Sequence, residues 1–339
     1  VYAPLLKGCT TVIYGGKPVG TPDAGAFWRM IEEYKIKVLF TAPTAFRAIK
    51  KQDPNAEALK KYNIECLQSL FLAGERCDSD TLFWARDTLG IAVVDHWWQT
   101  ETGWAIAANP LGIEELEIRP GSPSVAMPGY DVQVLAPDGS QMPDGEMGDL
   151  VVKLPMAPGC LPTLWGNDER FKSAYLTEHE GYYTSGDAGF KDEDGYLWIM
   201  SRTDDVINVA GHRLSTGAIE EALAGHADVA ECAVFGGTDD FKGQLPLGLV
   251  VLKDGANRDE SELVAELVKR VRDLIGPVAA FKMAATVARL PKTRSGKILR
   301  GTMAKIADGS EWSMPATVDD PVIFDEITVA LQRLGYAGG

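Results

Sequence analysis

The chain reads as an α/β protein in three successive textures: parallel βα layers, an antiparallel β-rich segment, and a small α+β domain. Three observations predict this. Between residues 9 and 95, short apolar runs alternate with stretches of helical periodicity, the pattern of a parallel sheet covered by helices. After about Arg119, Pro120-Gly121, Pro128-Gly129, Pro137-Asp138-Gly139 and Pro143-Asp144-Gly145 punctuate short alternating runs, which is antiparallel β with tight turns. From about Asp204, short helices and strands alternate again.

In order, Thr10 to Tyr14 is short and β-branched and predicts a strand. Phe27, Met30, Ile31 and Tyr34 recur at i, i+3, i+4 and i+7 and predict an amphipathic helix. Val38 to Phe40, Leu67 to Leu72 and Ile91 to Val94 predict strands with helices between them. Tyr130 to Leu135 opens the antiparallel part, which continues to Trp198-Ile199-Met200. A helix over Ala218 to Ala224, with Ser215 or Thr216 as its cap, precedes strands over Val229 to Phe235 and Leu245 to Leu252. The next helix puts Leu263, Leu267, Val271, Leu274 and Ile275 on one face. Asp259, three before Glu262, gives it a capping-box-like start. A last strand, Thr286 to Leu290, leads into a Lys/Arg/Gly loop and a final helical segment.

Length and charge bound the function. A chain of 339 residues suggests about two domains, here 1–203, β-rich from about 119, and 204–339. The net charge of −15 argues against nucleic acid and anionic membrane as partners. Five scattered cysteines, Cys9, Cys66, Cys77, Cys160 and Cys232, form no C-x-x-C pair. That disfavours a disulfide framework or zinc site and fits a reducing, cytoplasmic setting. No apolar run approaches the ~18 residues of a membrane span. The sequence starts at Val1 in mid-pattern, so we expect a fragment with exposed apolar edges on its first strands.

Four clusters carry chemistry. Asp95-His96-Trp97-Trp98-Gln99-Thr100-Glu101-Thr102-Gly103 follows a predicted parallel strand, where such sheets bind ligands. Its tryptophans offer a stacking face, Thr100 a hydroxyl for phosphate, and Glu101 a carboxylate for a hard cation. Tyr182-Tyr183-Thr184-Ser185-Gly186-Asp187 ends in an Asp suited to both ribose hydroxyls, and Arg202 of Ser201-Arg202-Thr203-Asp204-Asp205 can complete that grip. Asn208-Val209-Ala210-Gly211-His212-Arg213 pairs a permissive glycine with a phosphate-binding arginine. Pro291-Lys292-Thr293-Arg294-Ser295-Gly296-Lys297 is a basic loop whose Lys297 can neutralise developing negative charge. Each cluster alone also reads as ordinary structure: a buried aromatic pair, a hairpin turn, a helix entry, a solvated loop.

In this order and spacing the four together resemble the adenylate-forming superfamily of acyl-CoA synthetases, in its acetyl- and propionyl-CoA synthetase subgroup. The resemblance covers essentially the whole chain, and the stretch from Lys297 to Pro321 looks most like propionyl-CoA synthetase. It implies the C-terminal half of a large adenylation domain followed by a small mobile domain, with ATP, Mg2+ and coenzyme A as cofactors. A carboxylate would attack ATP to give an acyl-adenylate and diphosphate, and CoA would then displace AMP after the small domain rotates.

Residue by residue, the resemblance puts Gly74 and Glu75 at the adenine turn, Trp97 beside the adenine, and Asp95 and Gln99 among the nucleotide contacts. Thr100 would contact the α-phosphate and Glu101 hold the Mg2+ on ATP. Asp187 and Arg202 would bind the ribose and Arg213 a nucleotide phosphate. Trp98 would close the acyl pocket that Ala73 lines. Ala210 and Gly211 would line the pantetheine tunnel, Ala42 and Arg272 would contact CoA, and Asp204 would be the hinge. Lys297 would be the adenylation lysine and an acetylation site, with a lysine acetyltransferase and deacetylase as partners. Two positions depart from the family pattern: Arg76 stands where acetate enzymes usually have Pro, and Ala188 follows the ribose Asp. The family's Gly/Ser/Thr-rich phosphate loop is absent, so we expect it upstream of Val1 and this piece alone to be inactive.

Ala73 stands where acetate enzymes usually carry Val, which makes room for about one methylene, worth ~1–3 kcal/mol of discrimination. Propionate is therefore the first expectation and acetate the second. Two rival readings are an adenylation domain that loads a carrier protein and a non-catalytic module that binds AMP or acyl-AMP.

Overall fold

The structure is a computed structural model that describes residues 2–338 apart from Asp254, Asn257 and Ser295, with side chains from Pro4 onward. Everything below concerns those residues. The chain opens with α1 (Tyr2–Leu6), then α2 (Ala26–Tyr34), β1 (Val38–Thr41), α3 (Pro43–Gln52), β2 (Ser69–Ala73), α4 (Ser79–Leu89), β3 (Ala92–Trp98), β4 (Ala105–Ala108) and β5 (Val125–Ala126). β1, β2 and β3 pair in parallel, and β4 and β5 extend the same sheet antiparallel, in the order β1-β2-β3-β4-β5. Local chemistry sets the helix limits. Pro43 opens α3. The Asp78 carboxylate accepts from the Thr81 N–H at 2.8 Å to cap α4, which Gly90 ends in the left-handed region.

Leu39, Leu70, Leu72 and Val93 alternate onto one sheet face, where Trp28, Ile31, Phe46 and Ile49 of α2 and α3 bury them. On the opposite face of edge strand β1, Val38 and Phe40 stay 48% and 58% exposed. The antiparallel part forms a second sheet, β6 (Val132–Leu135), β7 (Gly148–Lys153), β8 (Tyr182–Lys191) and β9 (Leu197–Arg202), in that order, with α5 (Asp168–Tyr175) between β7 and β8.

The third sheet follows the order β11-β10-β13-β12, from β10 (Ile207–Val209), β11 (His212–Leu214), β12 (Val229–Asp239) and β13 (Gly243–Leu252), with β14 (Met283–Thr286) parallel to β13. Its helices are α6 (Thr216–Ala224), α7 (Glu260–Leu274), α8 (Arg300–Ala307) and α9 (Ile323–Arg333). Ser215 caps α6 through the Ala218 N–H at 3.1 Å, and Asp259 caps α7 through the Glu262 N–H at 3.0 Å. The cores on the two sides of this sheet use only residues beyond 206. Their joint with the preceding residues is polar: Arg76 to Glu221 at 2.7 Å, Ser79 to Glu221 at 3.0 Å and Arg213 to Asp149 at 2.9 Å. A joint of this kind resembles a transient interface more than a core.

Three sequence expectations need correction. Thr10 to Tyr14 is not a strand. It has no neighbouring strand to pair with among the described residues, and the Tyr14 hydroxyl instead bonds Thr21 at 2.8 Å within its own loop. The strand expected over Thr286 to Leu290 runs Met283–Thr286 instead. Val287 and Leu290 are buried in the core from an irregular segment, which mimics strand burial without a ladder. Leu274 is 64% exposed and does not belong to the buried face of α7.

Candidate active site

The site grows from the C-terminal end of β3. Along the strand, Asp95 and Trp97 turn to one side, and a bulge at Trp97/Trp98 leaves Trp98 40% exposed. The next residues, Thr100–Thr102, form a single 3-10 turn in which the Gln99 N–H donates to the Thr102 hydroxyl at 3.1 Å. That turn aims Thr100 and Glu101 outward, and the Tyr175 hydroxyl of α5 donates to the Glu101 carboxylate at 2.7 Å.

The second sheet brings Asp187 opposite. One carboxylate oxygen accepts from the Trp97 indole N–H at 2.9 Å and the Gln99 amide at 2.8 Å. The other accepts from Arg202 at 3.2 Å. Tyr183 donates to Gln99 at 2.8 Å and fixes the amide orientation. Gly186 has φ +70°, and a Cβ there would overlap the Arg202 guanidinium, so only glycine lets the arginine lie across this turn. Burial pushes the Asp187 carboxyl above its ordinary range, against the pull of Arg202 and of the Trp97 and Gln99 donors.

Gly74 and Glu75 form the turn after β2, with Gly74 at φ +103°. Glu75 is held by the Thr44 hydroxyl and by Arg47 at 3.0 Å. Asp95 supports the same turn from beneath: it accepts from the Cys77 N–H at 3.1 Å and the His96 N–H at 2.9 Å, and burial pushes its carboxyl up to about 7. Arg76 leaves the rim for the third sheet's side, where it pairs with Glu221.

Lys297 arrives on a tight hairpin. The Thr293 N–H donates to the Lys297 carbonyl at 2.8 Å, and the Lys297 N–H returns to the Thr293 hydroxyl at 3.0 Å. Ser295 of this loop lies outside the described residues. Two adjoining cavities, of about 650 and 800 Å³, share Gly74, Trp98, Gln99, Arg202 and Lys297 as walls. Glu75, Asp95, Trp97 and Asp187 line the first, and Thr100, Glu101 and Asp204 the second. A nucleoside with stacking and diol contacts fits the first, and an anionic polyphosphate with a hard cation fits the second.

Other sequence-predicted residues stand elsewhere. Ala73 is buried, 5% exposed, at the end of β2 as the register partner of His96. Ala42 is the N-cap of α3. Ala210, at φ +49°, and Gly211 form the exposed turn between β10 and β11. Arg272 is exposed on α7. Arg213 sits on Asp149, which also meets His179 at 3.3 Å. Asp149, Glu178 and His179 bring potential metal ligands within 4.8 Å of one another, but the Arg213 guanidinium already compensates that carboxylate. The sequence reading missed Tyr175, whose reach to Glu101 across 74 positions leaves no local signal, and Tyr183, which lay inside a quoted motif without a role.

Comparison with known proteins bears on fold and family. Solved structures of similar fold include the anthranilate CoA ligase AuaEII in complex with anthranoyl-AMP, at TM-score 0.76 and 24% identity over 89% of this chain and 55% of that one. The amide bond synthetase McbA from Marinactinospora thermotolerans aligns at TM-score 0.70 and 24% identity over 83% of this chain and 54% of that one. Among sequence relatives, the human acyl-CoA synthetase short-chain family member 3, mitochondrial, is 49% identical over 98% of this chain and 48% of its own length. The propionate–CoA ligase of Escherichia coli is 42% identical over 98% of this chain and 54% of its own length. An uncharacterized protein of Pseudomonas aeruginosa is 55% identical over 100% of this chain and 54% of its own length. The chain thus spans about half the length of the relatives it matches. The AMP-binding enzyme model matches residues 1–159 and the AMP-binding enzyme C-terminal domain model residues 218–297, and with well over half of its residues so matched the chain belongs to the AMP-binding, adenylate-forming enzymes.

Proposed function

We propose that the chain is the catalytic C-terminal portion of a short-chain acyl-CoA synthetase that converts propionate, ATP and CoA to propionyl-CoA, AMP and diphosphate. The observation that carries this reading is the convergence of three distant segments, 95–101, 187–202 and Lys297, on one pair of adjoining cavities. The substrate class comes from the human and Escherichia coli relatives, a short-chain acyl-CoA synthetase family member and a propionate–CoA ligase.

Trp97 stacks on the adenine, and Asp187 and Arg202 hold the ribose diol. Thr100 donates to the α-phosphate, and Glu101, whose carboxylate accepts from the Tyr175 hydroxyl, would hold a magnesium ion that would neutralise charge on the phosphates. A carboxylate oxygen of the acid attacks the α-phosphorus. The bond from phosphorus to the bridging oxygen breaks, and diphosphate leaves with the electron pair. Lys297 stabilises the charge that builds on the attacked phosphate. The CoA sulfur then attacks the acyl carbon, AMP departs, and the thiol proton passes to solvent. Arg213 holds a nucleotide phosphate, and Ala210, Gly211, Ala42 and Arg272 serve the second step, for which the residues from the Asp204 hinge onward turn as a body. The polar joint at Glu221 and Asp149 supports such a rotation, because it buries little that must be kept dry. The exposed loop position of Lys297 suits an acetyltransferase and deacetylase pair, and five free thiols suit a reducing compartment such as the cytoplasm.

Carboxylate-dependent ATP–diphosphate exchange by the full-length enzyme tests this, with acetate, propionate and butyrate at equal concentration. Exchange greatest with propionate is expected. Exchange greatest with acetate keeps the adenylation chemistry and removes the propionate assignment. AMP binding without any exchange overturns the catalytic reading in favour of a nucleotide-binding module.

A further inference from the structure

Four cations line the 800 Å³ cavity: Arg202, Lys297, Arg300 and Lys305. Two are committed to carboxylates. Arg202 meets Asp187 at 3.2 Å, and Arg300 forks onto Glu220 with both contacts at 2.8 Å. Among the described residues, Lys297 and Lys305 have no side-chain hydrogen bond or ion pair. The adenylation step uses Lys297 and leaves Lys305 without a task.

Its setting is built. Met303, Ile306 and Ala307 of α8 are buried in the core, which leaves Gly301, Thr302 and Lys305 along the cavity at i, i+1 and i+4. The following loop is tied back onto this helix, with the Ser310 N–H donating to the Lys305 carbonyl at 2.9 Å. That loop delivers Trp312, tilted against Phe324 at 5.1 Å between ring centroids, to the same wall. Thr100 and Glu101 line this cavity too. The Trp97 and Asp187 walls belong to the other one.

We propose that Lys305 binds the β- and γ-phosphates of ATP and the departing diphosphate. This rests on the adenylation reading above. With the nucleoside in the first cavity and the α-phosphate at Thr100, the polyphosphate runs into the second. When the bond to the bridging oxygen breaks, the added negative charge falls on the diphosphate, farther from Lys297 than the attacked phosphorus. A flexible ammonium is suited to an anion that must be held and then released, because it acts as a point charge without a fixed fork geometry.

The test is diphosphate exchange in the full-length enzyme with Lys305→Gln and Lys305→Arg. Lys305→Gln is expected to raise KM for diphosphate about tenfold, the loss of roughly one charge-assisted hydrogen bond. KM for the carboxylate, and thioester formation from supplied acyl-adenylate and CoA, should stay unchanged, and Lys305→Arg should recover most of the loss. An unmoved diphosphate KM in a wild type that exchanges normally overturns this proposal alone. A fall in the thioester step of equal size overturns it too, by showing a structural role. A wild type with no exchange overturns both this proposal and the reading beneath it.

Discussion

Asp187 on β8 and Arg202 on β9 are cross-strand register partners whose side chains meet at 3.2 Å, while the free oxygen of the same carboxylate ties down Trp97 and Gln99 of β3 and its turn. One acidic group therefore joins two sheets at the floor of the first cavity. Asp187→Ala should leave the buried Trp97 indole N–H without its acceptor, at a cost of about 1–3 kcal/mol, while the Gln99 amide keeps the Ser185 carbonyl at 2.6 Å. We expect a lower Tm and an AMP affinity weakened at least about tenfold. Thermal unfolding with and without AMP measures both, and an AMP-induced rise in Tm as large as that of the wild type would refute the assignment.

Lys297 reaches the same cavities from the other side on its hairpin. If it neutralises charge only while the carboxylate attacks, its loss falls on one half-reaction. Lys297→Ala should slow acyl-adenylate formation by about two orders of magnitude or more. Thioester formation from supplied acyl-adenylate should persist, because the attack of sulfur on the acyl carbon does not use this group. Equal loss in both halves would show that the lysine holds the fold of the loop instead.

The βα order, the antiparallel segment and the caps at Asp259 and Ser215 were legible because each is written in adjacent residues. The convergence of Trp97, Asp187 and Lys297 was legible only through four motifs taken together, since no local pattern brings positions 97, 187 and 297 to one place. Partners chosen by packing at a distance were illegible. Tyr175 on Glu101 and Arg213 on Asp149 are examples, each pair separated by more than 60 positions. Thr10 to Tyr14 misled because β-branched composition reports a preference, and a strand also needs a neighbour.

Ala73 ends β2 beside His96, and Trp98 lies two residues farther along β3. His96 and Trp98 both line the first cavity. Ala73→Val would add two methyl groups to this buried corner, which the propionate proposal puts at the end of an acyl pocket closed by Trp98. The substitution should move preference toward acetate by ~1–3 kcal/mol, about 10- to 200-fold in relative kcat/KM. Competition between acetate and propionate in the exchange assay reads this directly. A variant that loses both substrates in proportion would place the acyl chain elsewhere.

Asp95 and His96 are neighbours on β3 that burial drives in opposite directions. The Asp95 carboxyl is pushed up to about 7 and the His96 imidazole down to about 4, so both favour their neutral forms. In the unfolded chain they titrate near ~3.9 and ~6.5. Between about pH 4 and 7 the native state therefore holds an extra proton on Asp95, and its contribution to stability is lost as pH rises through that window. Between about pH 4 and 6.5 the native state lacks a proton on His96 that the unfolded chain holds, so that contribution grows with rising pH. The two slopes oppose each other and largely cancel in the wild type. Asp95→Asn should expose the histidine slope, with Tm relative to wild type rising from pH 5 to 7. His96→Phe keeps an aromatic ring beside Phe40 and Phe71, which stand 5.8 and 4.9 Å away, and should expose the opposite slope, with relative Tm falling over the same range. Parallel Tm curves for wild type and both variants would mean that neither group is held neutral. The support that Asp95 gives the Gly74-Glu75 turn would then be that of an ordinary ionised carboxylate.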